Sequence, residues 1–241
     1  MYQPAEVLRY VSDHAVLVVL LGGITLLCNF VYFGEAARLG FRDRCAPMAL
    51  WGTAIFLAHD GNYLLDYGKW FNTYDHWFPK LFWVALCVTF TFELVFFSQI
   101  VRFGRAEFAP ALSQRMWTLY CVGAVAAGVI GWAIVKRVLD DDLYLVSFMV
   151  TILLCGPSSM PIMMRRGTRR GFSPLEFGAF TVMALGFAVT TQLFSASFHN
   201  LTWIVLSAAA VGYGLVMIRT VVALPPYRPT EVSAPAMSLL D

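Results

Sequence analysis

Charge is what this sequence has least of. Only 13% of its 241 residues are charged and 59% are hydrophobic, so the core it builds must face lipid. A net charge of +2 is too small to indicate a nucleic-acid partner, and the basic residues sit between hydrophobic runs, where they report topology. Lysine is scarcer still. Lys69, Lys80 and Lys136 lie in loops or at a helix end, and none stands in the last hydrophobic run to form a retinal Schiff base. His59 and His199, both at helix ends, are weak support for a bridging haem. The five cysteines, Cys28, Cys45, Cys87, Cys121 and Cys155, are scattered singly, which excludes zinc and dithiol chemistry and leaves them as small packing residues. No metal or cofactor is called for. The first fourteen residues carry Glu6, Arg9 and Asp13 without a basic leader or a small-residue cleavage site, so the first helix is expected to insert uncleaved.

What the sequence does have is seven apolar runs, near residues 15–34, 46–65, 80–101, 116–135, 143–164, 175–198 and 201–218, each close to the roughly 20 residues that cross a bilayer. They predict an all-α, seven-helix integral membrane protein, of a bacterial cytoplasmic membrane or an endoplasmic reticulum, occupying residues 1–224, with residues 225–241 as a disordered Pro-rich tail. Five Lys and Arg residues fall in the N-terminus and in the loops after runs two, four and six, against twelve elsewhere. The positive-inside rule then puts the N-terminus outside and the C-terminus in the cytoplasm. Arg38-Leu-Gly-Phe-Arg42-Asp-Arg-Cys-Ala-Pro47 also lies over Arg165-Arg-Gly-Thr-Arg169-Arg-Gly-Phe-Ser-Pro174 without a gap, sharing two arginines, a glycine and a proline. This suggests parallel repeats of helices 1–3 and 5–7 with helix four as a linker, although cytoplasmic loops collect arginine and glycine on their own.

The most unusual stretch is Phe56-Leu-Ala-His-Asp-Gly-Asn-Tyr-Leu-Leu-Asp-Tyr67, which puts His59, Asp60 and Asn62 into an apolar run. An unpaired charge there costs about 2.5–3.5 kcal/mol. Either the helix has reached the headgroups and Asp60 is solvated, or a polar pocket faces the bundle interior. Helix three brings a second carboxylate, Glu93, either catalytic or hydrogen-bonded to Asn29 on helix one or to the end of helix five. Counted at 1.5 Å per residue, Glu93 lies about 20 Å from the outer end of its helix and Asp60 about 8 Å from the end of its own, so the two are not expected to touch. The aromatic connection Asp66–Pro79 is an interfacial belt or a lid. Gly123, Ala124, Ala126, Ala127, Gly128 and Gly131 mark helix four for close packing, Pro157 and Pro161 should break or kink helix five, Gln192 approaches the depth of Asp60, and helix seven carries Trp203. A candidate site follows: Asp60 and Glu93 as acids, with His59, Asn62, Tyr63, Asn29, Gln192 and Trp203 around a substrate.

Two buried carboxyls among aromatics suit acid-initiated isomerisation or cyclisation of a hydrophobic small molecule, since a neutral carboxyl can protonate an epoxide or alkene and aromatic faces can stabilise the cation. The order Asn29, Asp43-Arg44, Met48-Ala49, Asp60 resembles the fungal integral-membrane terpene cyclases of meroterpenoid and indole-diterpene pathways. Their catalytic glutamate, in an Asn-Phe-Ala-Trp-Glu run, falls on Asp60, and Arg166-Gly-Thr-Arg-Arg-Gly-Phe-Ser173 is similar to their Arg-Gly-Ser-Ser-Arg-Gly loop. The resemblance implies a seven-helix fold, no cofactor and Asp60 as proton donor. Here Phe56 and His59 replace that run's asparagine and tryptophan, and the family's second carboxylate, on the last helix, falls in Ser207-Ala-Ala-Ala210, where no acid stands. Either Glu93, His59 or Gln192 substitutes, or the chain uses the scaffold for a different proton-transfer reaction on a related lipid. The alternative is transport: the three-plus-one-plus-three plan and Met160-Pro161 ahead of a basic loop also resemble the PQ-loop and sugar-efflux carriers, although Ile162 stands where their motif has glutamine and helix one lacks the matching proline.

Overall fold

The computed structural model describes residues 2–228, and every regular element among them is helical: α1 (Pro4–Asp13), α2 (Ala15–Arg42), α3 (Leu50–Leu64), α4 (Trp77–Phe103), α5 (Arg105–Phe108), α6 (Gln114–Leu139), α7 (Leu145–Arg166), α8 (Pro174–Phe194) and α9 (Leu201–Ala223). Six of these, α2, α4, α6, α7, α8 and α9, are long and apolar enough to cross a membrane, as an integral membrane protein requires. Their ends follow ordinary chemistry. Ser173 and Glu176 form a reciprocal capping box with Pro174 in the first turn of α8, and Asn200 accepts from Trp203 N at 2.9 Å to start α9. Of the break or kink that the sequence predicts at Pro157 and Pro161, the break does not occur, and α7 stays helical through both.

α3 differs from the six. At 15 residues it is about 22 Å long, and it is enclosed by α4, α6 and α7. That enclosure is what allows its second half to be polar. Its contact with α6 is very close: a Cβ on Gly128 would lie 2.9 Å from the Ala54 carbonyl. Of the small residues expected to pack α6, Gly123 and Gly131 have nothing near their missing side chains, so Gly128 alone among the three glycines makes a seam. α2 packs on α8, α8 on α9 and α9 on α7.

At one end of the bundle the two similar basic loops meet. Asp43 is buried; Arg42 grips its carboxylate at 2.5 and 2.9 Å, and Gly171 N donates to it at 2.7 Å. Arg170 donates to the carbonyls of Asp43 and Arg44, and Arg166 reaches the Ala46 carbonyl at 2.7 Å and pairs with Glu107 at 2.7 and 2.9 Å. The start of the predicted disordered tail is held here as well, since Arg169 N donates to the Pro225 carbonyl at 3.0 Å and Arg170 lies over the Tyr227 ring; the rest, 229–241, lies outside the described residues.

The opposite end is roofed by α1, by the segment 65–76 with its π-helical turn Lys69–Thr73, and by the acidic run Asp140–Asp142. Tyr2 donates to Asp141 at 2.5 Å, Ser147 Oγ donates to the same carboxylate at 2.6 Å, and Lys69 and Tyr74 both engage Asp142. Burial pushes the Asp142 carboxyl up, but these two partners outweigh it and hold it below the usual aspartate range. Trp70, fully buried, donates to the Asp142 carbonyl at 3.2 Å. The aromatic connection is thus fastened down as a roof and is more than a belt.

Candidate functional site

Asp60 is only 4% exposed, which decides between the two readings of its stretch: it faces the bundle interior. Two elements supply its hydroxyl partners. Thr89 of α4 lies 2.6 Å from Oδ2, and Tyr144, at the start of α7, donates to Oδ1. His59 Nδ1 stands 3.0 Å from the same Oδ1 and 2.6 Å from the Tyr144 hydroxyl. If Tyr144 gives its one proton to Asp60, His59 must carry its own on Nδ1, which leaves Nε2 a bare acceptor. That Nε2 and Trp132 Nε1 are both buried without a partner, and their rings meet edge-on with centroids 4.7 Å apart.

Tyr144 reaches Asp60 at a backbone cost. Its φ is +71°, the left-handed region, which costs a bulky residue on the order of 1–3 kcal/mol and persists only where packing enforces it. Enforcement comes from rings around it: His59 at 4.2 Å, Tyr63 at 4.3 Å, and Phe82 and Phe148 each at 5.4 Å between centroids. Asp141 fixes the loop below by accepting from the backbone of Leu145 and Ser147 at 3.0 and 2.7 Å.

Glu93 lies one helical turn beyond Thr89 on α4, so both point the same way. It is 2% exposed, its Oε2 has no N–H or O–H donor, and the carboxyl beside it is that of Asp60. The expectation that these acids stay apart is therefore overturned. It counted depth from the helix ends as if they were level. They are not: Trp83 Nε1 donates to the Leu64 carbonyl at 3.2 Å, so α4 begins six residues, about 9 Å, above the point where α3 stops.

Ionising both of these adjoining buried carboxyls would set like charges together away from water, so the arrangement suits a proton carried between them. Thr89 can follow that proton. It donates to Asp60 Oδ2 when the carboxylate is ionised, and when Asp60 is protonated it can turn its hydrogen to the Leu86 carbonyl at 3.1 Å and accept instead. The pair opens on a small cavity whose other walls include Asn29, Tyr32, Phe33, Phe56, Phe148 and Met183.

Of the residues the sequence nominates, Asp60, His59, Glu93 and Asn29 come together here. Tyr63 stands one layer out, donating to the Asp141 carbonyl at 3.0 Å with its hydroxyl 3.1 Å from Ser147 Oγ. Asn62 is spent on the Ala58 carbonyl at 2.7 Å. Gln192 donates to the Phe198 carbonyl at 3.0 Å and Trp203 to Thr191 Oγ1 at 3.2 Å; both serve the turn between α8 and α9, and neither lines the cavity. Among the described residues Glu93 makes no hydrogen bond to Asn29 or to the end of α7, the alternative partners proposed for it. Thr89 and Tyr144 are the residues sequence reasoning missed. The acidic triplet Asp140–Asp142 just before Tyr144 was the available signal, since three acids at the mouth of an apolar run need something to hold. No metal-holding group of His, Cys, Asp and Glu occurs among the described residues. Set against family models, curated proteins and solved structures, the chain matches none.

Proposed function

We propose that this chain is a membrane-embedded acid catalyst, a terpene cyclase or isomerase, that uses the Asp60–Glu93 pair to start and end a carbocation rearrangement of a prenylated, lipid-soluble substrate. The observation that carries the reading is the contact of two buried carboxyls, one with an unpartnered oxygen, in a cavity otherwise walled by aromatic and aliphatic side chains. In the first step the pair's proton passes to an epoxide oxygen as a C–O bond breaks, and the carbon is left as a cation; an alkene would take the same proton on carbon. A neighbouring C=C then attacks the cation, forming a C–C bond. Loss of a C–H proton to the carboxylate ends the sequence with the pair recharged. Nothing is consumed but substrate, so the product is an isomer. Tyr32, Phe33, Phe56 and Phe148 supply π-faces for the intermediate cation, and His59, Tyr144 and Thr89 hold Asp60 through its change of charge.

On this reading the resemblance to the fungal membrane cyclases has a second acid. Glu93 on α4 takes the place of the carboxylate missing from the Ser207–Ala210 stretch, and neither Gln192 nor Ser207 lines the cavity. We read α3 as a seventh crossing, short because it is sheathed by protein, with the N-terminus outside and the basic loops in the cytoplasm. The transport reading asks for a polar path through the centre of the bundle, and the apolar walls here favour catalysis.

The test is to incubate membranes holding the protein with prenylated phenols bearing a terminal epoxide, and to analyse extracts by mass spectrometry. The expected result is a new compound of unchanged mass, absent with Asp60→Asn. Substrate recovered unaltered across the series, with the wild-type protein folded, would refute the reading.

A further inference from the structure

The acid pocket continues into a second, larger space. α2 and α4 are joined along one half of their length: Phe33 meets Phe96 edge-on at 5.4 Å between centroids, and Gln99 Nε2 donates to the Ala37 carbonyl at 2.7 Å. Beyond Asn29 and Thr89, toward the roofed end, the two helices instead form facing walls of an open groove. Asn29, Thr89 and Phe148 border both cavities, so the groove leads to the acids.

Its walls are hydrocarbon. The hydroxyls of Thr25 and Thr190 are turned back onto the Leu21 and Gly186 carbonyls of their own helices, at 2.8 and 2.7 Å. At the lip, Val19 and Leu81 are each about half exposed, and on membrane-crossing helices that exposure faces acyl chains. Gly22 and Gly23 line the groove, and a side chain at either would meet nothing within 4 Å. From Thr89 to Trp77 the α4 wall runs twelve residues, about 18 Å.

We propose that this groove between α2 and α4 binds the hydrocarbon tail of the substrate and is its lateral entrance from the bilayer, with Asn29 and Thr89 at the threshold where the tail ends and the reacting group begins. The assignment of the tail to a substrate rests on the acid-catalyst reading. A tail leaving the bilayer for the groove exchanges one apolar surround for another and gains little by burial. Discrimination against bilayer lipid must then come from the head that the tail delivers to Asp60 and Glu93.

The experiment uses the full chain in phosphatidylcholine vesicles and a farnesylated phenol with a diazirine on its tail, photolysed in place, with adducts mapped by mass spectrometry. Adducts are expected on residues 18–26 and 77–85 and should disappear when excess unlabelled farnesylated phenol is added. Gly22→Trp should cut the labelling about tenfold, which corresponds to about 1.4 kcal/mol of binding, whereas Leu119→Trp on the outer face of α6 should not change it. Gly23→Leu is the smaller filler should the tryptophan variant unfold early in a thermal scan. Adducts spread over all outer helix faces, adducts that persist against unlabelled phenol because bilayer lipid fills the groove, or labelling unchanged in both folded variants would each overturn the proposal. Groove labelling that behaves as expected in a protein that isomerises no prenylated substrate sinks the acid reading and leaves a tail-binding groove; turnover together with indifferent labelling does the reverse.

Discussion

Asp60 and Glu93 lie side by side inside the bundle, where ionising both would set like charges together, and Thr89, Tyr144 and His59 are placed to hold the Asp60 carboxyl. Tyr144 is the partner whose removal is most informative. Tyr144→Phe keeps the ring packing and deletes one hydrogen bond to a charged group, worth about 1.5–3 kcal/mol, so initial rates of substrate isomerisation should fall roughly tenfold to hundredfold with the thermal unfolding midpoint in detergent little changed. A wild-type rate from this variant would show that the hydroxyl is structural ornament. Asp60, His59 and Glu93 could be found in the sequence because a polar group in an apolar run has no routine explanation. Thr89 could not, since a threonine within a helix is commonplace and nothing local shows which way it faces, and Tyr144 was marked only indirectly, by the acidic triplet Asp140–Asp142 before it. The contact between the acids was hidden for another reason: it depends on how far α4 overshoots α3, and that is set by the roof segment 65–76.

At the scale of elements, hydrophobic runs located the six long helices to within a few residues of most ends, because lipid imposes length and apolarity together. They did not show that α3 is a short interior helix, which its neighbours make possible. Its seam with α6 rests on Gly128. Gly128→Leu would drive a side chain against the Ala54 carbonyl and should cost about 1–3 kcal/mol or more by overpacking, seen as a lower unfolding midpoint in detergent, whereas Gly131→Leu, facing open space, should leave it within error. Equal effects at the two glycines would contradict the seam. The basic loops carry a second test. Burial pushes the Glu107 carboxyl up, but Arg166 and Arg165 outweigh it and hold it below the ordinary glutamate range. A carboxylate held low stabilises the fold fully above its ordinary value of 4.5 and loses that contribution as pH falls through the depressed one. Wild type should therefore lose more thermal stability between about pH 5 and pH 3 than Glu107→Gln does; parallel curves would show that the ion pair adds nothing.

For the whole molecule, the account is a bundle with its acids beneath a fastened roof and its basic loops at the other end. The excess of Lys and Arg at the loop end predicts that a cysteine at Thr168 is shielded from an impermeant thiol reagent in intact cells and one at Thr73, in the roof, is labelled; the opposite pattern would invert the orientation. The paired repeat is not needed for any of this, though the two segments that suggested it do bind each other through Asp43, Arg166 and Arg170. The most direct test of the central claim is a double-mutant cycle on turnover, comparing wild type, Asp60→Asn, Glu93→Gln and the double variant in the prenyl-epoxide assay. Because residues that act as a unit are not additive, each single variant should abolish isomer formation, and the double variant should be no worse than either. A Glu93→Gln protein that forms the isomer at the wild-type rate, or losses that multiply in the double variant, would contradict it.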